Sequence, residues 1–138
     1  MSNAPVEVLS EEKSWKLLNG SVFGRLAMCI DGQPEIFPLN VFANDGTILF
    51  HTADGTKLRE LLANDRAVFE TDAFTSKHGW SIVAKGRARV LSDPAEIADA
   101  ERSPLHTWVP TVKTTYVRID VDEITGRRFA FGLDSREE

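Results

Sequence analysis

Cysteine is almost absent from this sequence. Cys29 is the only one, so no disulfide framework can staple the chain, and such usage suits a reducing compartment. No apolar run approaches the ~20 residues of a membrane span. Met1–Pro5 has no basic stretch leading into an apolar one, so neither a membrane partner nor a signal peptide is expected, and the expected location is cytoplasmic. No Gly-x-Gly-x-x-Gly occurs, which leaves a Rossmann dinucleotide site unsupported. His51, His78 and His106 lie far apart, and no second cysteine or dense carboxylate set joins them, so no metal centre is expected. A dense Lys/Arg block is also missing, and with a formal net charge of −5 nucleic acid is not an expected partner. Repeats, low-complexity tracts and Pro/Ser linkers are lacking too. The 138 residues therefore suit a single domain over 1–138.

What is present is strand-rich. Ser10 can cap a first helix over Glu11–Asn19, whose Glu11 and Glu12 suit the helix dipole, and Gly20 can stop it. Trp15 and Leu18 share its apolar face. Gly24–Ile30 alternates, with Leu26, Met28 and Ile30 on one side and Arg25, Ala27 and Cys29 on the other. Asp31-Gly32 then forms a two-residue hairpin turn. Glu35–Ala43 is apolar on both faces and holds Pro38, which cannot donate to a ladder and so marks an edge, a bulge or a ligand. Asn44-Asp45-Gly46 turns into the strand Thr47–Thr52.

A second helix is expected over Thr56–Asn64, followed by long strands Arg66–Phe74 and Trp80–Leu91, with Gly86 marking a bend. Asp93-Pro94 opens a third helix to about residue 101. Thr115–Val121 is a further strand, and Glu123–Gly126 is expected to turn it into a short partner, Arg127–Gly132. Hairpin-ordered strands with three short helices predict an α+β, mainly β, antiparallel barrel. A barrel this small fills with side chains, so a ligand belongs on its outer wall or at a subunit interface.

Basic residues cluster locally: Lys57 with Arg59, Lys85 with Arg87 and Arg89, Arg127 with Arg128. Each cluster is either a solvated face or the grip for a small anion. At Thr56–Arg59 cations stand in the first turn of a helix, where they oppose its dipole, while free N–H groups there attract anions. Lys57 with the hydroxyls of Thr52 and Thr56 fits a phosphate; the alternative is that Lys57 and Arg59 simply reach solvent. Cys29 has no basic neighbour and reads as a buried bystander. His78 reads as solvent-exposed, as does His106 unless it covers a cleft with Trp108.

Several segments, in order, carry a resemblance. They are Trp15-Lys16-Leu17-Leu18, Val22-Phe23-Gly24-Arg25-Leu26-Ala27, Pro38-Leu39-Asn40, Phe50-His51-Thr52-Ala53 with Gly55-Thr56-Lys57, Gly79-Trp80-Ser81-Ile82-Val83, Gly86-Arg87-Ala88 and Gly126-Arg127-Arg128-Phe129. Together the chain resembles the pyridoxamine 5′-phosphate oxidase-related, FMN-binding split-barrel family, most of all its small nitroimidazole-resistance-like branch. The resemblance implies a split β-barrel homodimer with the flavin between protomers. It implies Pro38, Leu39 and Asn40 at the flavin ring, Phe50, His51 and Thr52 along the ribityl chain, and Thr56 and Lys57 at the phosphate. Trp80 and Ser81 would approach from a neighbouring strand, of the same or the other subunit. The dedicated oxidase's basic grip on a substrate phosphate is only echoed, in Arg127-Arg128, so a different small organic substrate is expected. No acid–base pair stands out and no catalytic side chain is assigned; a flavin supplies the hydride chemistry itself. The implied activity is an FMN-dependent oxidoreductase, with deazaflavin F420 as an alternative cofactor and a non-enzymatic flavin or haem binder as an alternative role.

Overall fold

Residues 5–53, 63–105 and 115–131 are described by the computed structural model. Among them are eight strands: β1 (Val6–Val8), β2 (Phe23–Ile30), β3 (Gln33–Asn40), β4 (Phe42–Asn44), β5 (Thr47–Thr52), β6 (Arg66–Phe74), β7 (His78–Val90) and β8 (Thr115–Ala130). Two helices accompany them, α1 (Glu11–Asn19) and α2 (Pro94–Arg102). All pairings are antiparallel, in the order β3-β2-β6-β7-β8-β5-β4, with β1 on the far part of β8. The expected mainly-β split barrel is the observed architecture. Most of the expected second helix lies outside the described residues.

Turn chemistry sets the meander. Asp31 and Gly32 take φ of 52° and 79°, and Asp45 and Gly46 take 51° and 78°, the left-handed pairs that match the twist of tight hairpins. Pro38 stands on β3, at the edge of the sheet, where its missing N–H costs nothing. The expected Glu35–Ala43 strand is divided at Val41, whose N–H donates to the Val22 carbonyl at 3.0 Å. Gly86 falls at the β7/β8 register shift, where a Cβ would strike the Asp120 carbonyl; this is the bend the sequence anticipated.

Alternation fills the barrel. Leu26 and Met28, Ile48 and Phe50, Phe69, Ile82 and Ala84, and Val117, Ile119 and Ile124 form one buried cluster. Fully burying Phe50 or Phe69 stabilises the fold by roughly 1.5–3 kcal/mol each. Helix α1 closes one end, capped by Ser10, whose hydroxyl accepts from the Lys13 N–H. Leu18 enters the core and Trp15 packs beside it.

One expectation about the C-terminal strands is overturned. The sequence placed a turn at Glu123–Gly126, yet β8 runs unbroken through it. Gly126 is there because α1 crosses β8 at that point: a Cβ would collide with Ser14 Oγ and sit 2.8 Å from Ile82 Cδ1. In the basic cluster on β7, Arg87 pairs with Asp65 at 2.8 Å and Arg89 with Asp120 at 2.8 Å and Glu96 at 3.0 Å, which favours the solvated-face alternative for these two. Two bonds from Arg89 to the Glu96 carboxylate pin α2 to the wall. They hold that carboxyl below its usual range and push the guanidinium pKa higher still.

Candidate functional site

The outer wall is built from the residues that alternate against the core. Strand registers align them in rows: Pro38–Arg25–Glu70–Val83, and beside it Ile36–Ala27–Val68. On the other side Asn40 pairs with Phe23, and Asp72 pairs with Ser81. The Thr71 hydroxyl donates to the Phe23 carbonyl at 2.8 Å, which joins these last two pairs into one row. Asn40 and Ser81 therefore look out from the same wall, three strand spacings or about 14 Å apart.

The expected site residues distribute as follows. Pro38 is exposed on the wall, Asn40 is half-buried at its margin, and Leu39 points the other way, against the core. Phe42 pairs with Leu49, so two residues further on in each chain direction Asn40 and His51 come to the same end of the β4–β5 ladder. Phe50 is corrected in one respect. Its side chain is fully buried in the barrel because it alternates with Ile48, so only its backbone can meet a ligand. His51 and Thr52 are half-buried. His51 packs on Tyr116 with ring centroids 5.7 Å apart, and burial lowers its pKa. Thr56 and Lys57 lie outside the described residues, as do His106 and Trp108.

Trp80 and Ser81 stand on β7 at the opposite margin. Trp80 packs against the core, and both residues line a cavity of about 350 Å³. With Leu39, Phe50 and Trp80 packed against the core, the expected set leaves His51, Asn40, Pro38 and Ser81 as an arc on the outer wall. Its middle is occupied by residues that sequence reasoning did not assign. Arg25 Nη1 lies 2.8 Å from Glu70 and 3.5 Å from Asp72. Burial and the neighbouring Asp72 raise the Glu70 pKa, with Arg25 opposing them. The motif Gly24-Arg25 was legible, but its acidic partners on β6 were not, since nothing local announces a pairing 45 residues away.

Much of this wall is apolar and uncovered. Ile36 is 63% exposed and Phe23 38%, and both flank the half-buried Ala27, Val68 and Val83. Cys29 is exposed here as well, against the expectation of burial: it faces outward beside Pro34. A second concavity, of about 510 Å³ between α2 and β4–β5, contains none of the expected site residues.

Comparison with known proteins bears on this wall. The sequence pattern of the pyridoxamine 5′-phosphate oxidase family matches residues 10–128. An uncharacterized protein of Mycobacterium tuberculosis is 44% identical over 86 residues, 62% of this chain and 78% of that relative. A crystal structure from Corynebacterium glutamicum, assigned to the pyridoxamine 5′-phosphate oxidases, superposes with a TM-score of 0.88 at 34% identity, covering 97% of this chain and all of that one. A structure described as the FAD binding protein of Mycobacterium smegmatis superposes with a TM-score of 0.80 at 40% identity, covering 91% of this chain and 100% of that chain.

Proposed function

Because the chain belongs to the pyridoxamine 5′-phosphate oxidase family, we propose that it is a flavin-dependent oxidoreductase of a small organic substrate, holding its cofactor on this outer wall against a second copy of itself. The observation that carries the reading is the run from His51 past Asn40 to Ser81, which borders a sheet face of Ile36, Ala27, Val68 and Val83 crossed by the mutually paired Arg25, Glu70 and Asp72. An isoalloxazine ring needs apolar area to lie on and hydrogen-bonding groups at its rim. Ile36, Val68 and Val83 supply the first and Asn40 and Ser81 the second, while the Arg25 charge is offset by Glu70 and Asp72, so the residues fit the group. Thr56 and Lys57 are assigned to the phosphate on the family resemblance. A bound flavin supplies the hydride transfer, and the protein's share is binding, orientation and electrostatics.

The roles of the chain's own groups follow from their environments. His51, packed on Tyr116 and disfavoured as a cation by burial, places an imidazole at the wall. Asn40 can donate and accept at the wall's margin. Arg25, held between Glu70 and Asp72, is a cation already offset, which suits a contact between protomers better than a free anion grip. The exposed Ile36, Phe23 and Pro38, together with the open edge of β3, supply a reason for a second copy: apolar patches and sheet edges left in water favour association.

FMN is the leading cofactor, and FAD is the second reading because of the 40% identical FAD binding protein; the two share every group assigned to this wall. Protein freed of ligand is titrated with FMN, FAD and F420, followed by cofactor fluorescence. One FMN or FAD bound per chain is expected. Uptake of F420 alone, or a Soret band after haem addition with no flavin bound, would overturn the assignment.

A further inference from the structure

Beside Ser81 the wall ends in an aromatic cup. Phe74 and Phe129 flank Gly79 in the next row of the β6–β7–β8 ladder, and Trp80, Phe131 and Asp72 complete the walls of the 350 Å³ cavity. Gly79 keeps it open: a Cβ there would stand 2.7 Å from Phe74 Cβ, so any side chain would intrude on the ring that forms the cup's side. Phe74 is 77% exposed and Phe131 38%, large aromatic surfaces that a soluble domain would not leave bare without use. The residues with polar side chains lining the cavity are Asp72, whose carboxylate also lies 3.5 Å from Arg25, and Ser81. Arg127 and Arg128 are exposed and pair in the ladder with Ser81 and Trp80, but neither lines the cup.

We propose that this cup is the substrate subsite and that it takes an uncharged, flat, ring-bearing molecule rather than a phosphorylated one. The inference rests on the flavin reading above for the word substrate, since Trp80 and Ser81 belong to both sites. The ligand class comes from the cup itself. Its volume falls in the usual range of small-molecule pockets, ~300–1,000 Å³, and aromatic walls with one or two orienting polar groups are how such pockets select flat apolar ligands. Ring stacking on Phe74 and Phe129 favours aromatic guests. Asp72 and Glu70 together outweigh the one guanidinium, Arg25, between them, and this net negative cluster beside the lining disfavours an anion, while Ser81 can supply a hydrogen bond to a hydroxyl or carbonyl on the ring.

The test is calorimetric titration of the purified protein, with whatever flavin it carries, using three probes: 2-naphthol, 2-naphthyl phosphate and pyridoxamine 5′-phosphate. 2-Naphthol is expected to bind one per chain, at least tenfold more tightly than either phosphate. Phe74→Ala, at an exposed position that folding does not need, should weaken 2-naphthol about tenfold, and Phe74→Tyr should restore it. Flavin affinity should stay within twofold in both variants. Tighter binding of either phosphate, or 2-naphthol affinity indifferent to Phe74→Ala, would overturn the proposal. So would loss of the dimer in Phe74→Ala, which would make the cup part of a protein contact. If the wild type binds no flavin, the flavin reading falls, while the same titrations still decide whether the cup takes uncharged rings.

Discussion

Replacing Gly126 by alanine adds one methyl group at the crossing of α1 and β8, and its cost can be worked out from that crossing. The new Cβ would overlap Ser14 Oγ, lie 2.8 Å from Ile82 Cδ1 and touch Leu9 Cδ1 at 3.3 Å. Ser14 is fully buried, and its hydroxyl donates to the Ser10 carbonyl at 2.8 Å. Swinging it aside gives up a bond worth about 1 kcal/mol. Ile82 is fully buried too, and pushing it off its rotamer costs ~0.5–1.5 kcal/mol. Against this, alanine restricts the unfolded chain more than glycine, which returns ~0.4–1 kcal/mol. Gly126 does not adopt a positive φ, so alanine meets no backbone strain. The net loss is about 0.5–2 kcal/mol, lowering Tm by roughly 2–7 °C for a chain of this size. Urea melts of Gly126→Ala, Ser14→Ala and the double variant measure it. Ser14→Ala should relieve part of the clash, giving a coupling of ~0.5 kcal/mol or more. An alanine variant as stable as wild type, or strictly additive single effects, would refute this account of why β8 carries glycine there.

Three further outcomes are expected. Glu70 has a raised folded-state pKa, so its favourable contribution is complete below the ordinary carboxylate range and is lost as pH rises through the raised value. Glu70→Gln should therefore flatten the pH dependence of stability just above that range and change stability at pH 7 by no more than ~1 kcal/mol, because the Arg25 pair is partly exposed; a larger loss in thermal melts would contradict it. Ile36→Lys, placed on an edge strand at a 63% exposed position, should leave the Tm of the separated chain intact but weaken dimerisation at least tenfold in sedimentation. Lys57→Ala should lower flavin affinity roughly ten- to a hundredfold, since hydrogen bonds to charged groups are worth ~1.5–3 kcal/mol; unchanged fluorescence titrations would place the phosphate elsewhere.

How far the sequence could be read is clearest at particular residues. Asp31-Gly32 and Asn44-Asp45-Gly46 announced their turns because left-handed backbone needs such residues, and Pro38 announced an edge because it has no N–H to give. Gly86 announced a bend. Gly126 misled for the same reason that Gly86 did not: a glycine states that something comes close, without saying whether a turn or another element arrives. At Gly126 it was α1. The three-residue β1 carries no turn signal and was missed. Alternation identified the two faces of β2 but could not say which faces water, so Cys29 was read as buried; the resemblance placed Phe50 along the ribityl chain without showing that its ring is buried. Long-range partners stayed illegible, including Glu70 and Asp72 for Arg25, Tyr116 for His51, and the meeting of Phe74, Phe129 and Phe131 around Gly79. The segments of the candidate site were legible as a resemblance, whereas their arrangement as an arc over one wall required the registers of β2, β3, β6 and β7.

The central claim, a flavin held on the outer wall between two copies of this chain, is tested most directly by native mass spectrometry of the protein after flavin loading and removal of excess. The account predicts a species of two 15.4 kDa chains carrying two flavin molecules, with the flavins and the dimer lost together in Ile36→Lys. A monomer that retains one flavin, or a dimer that retains none, would contradict it.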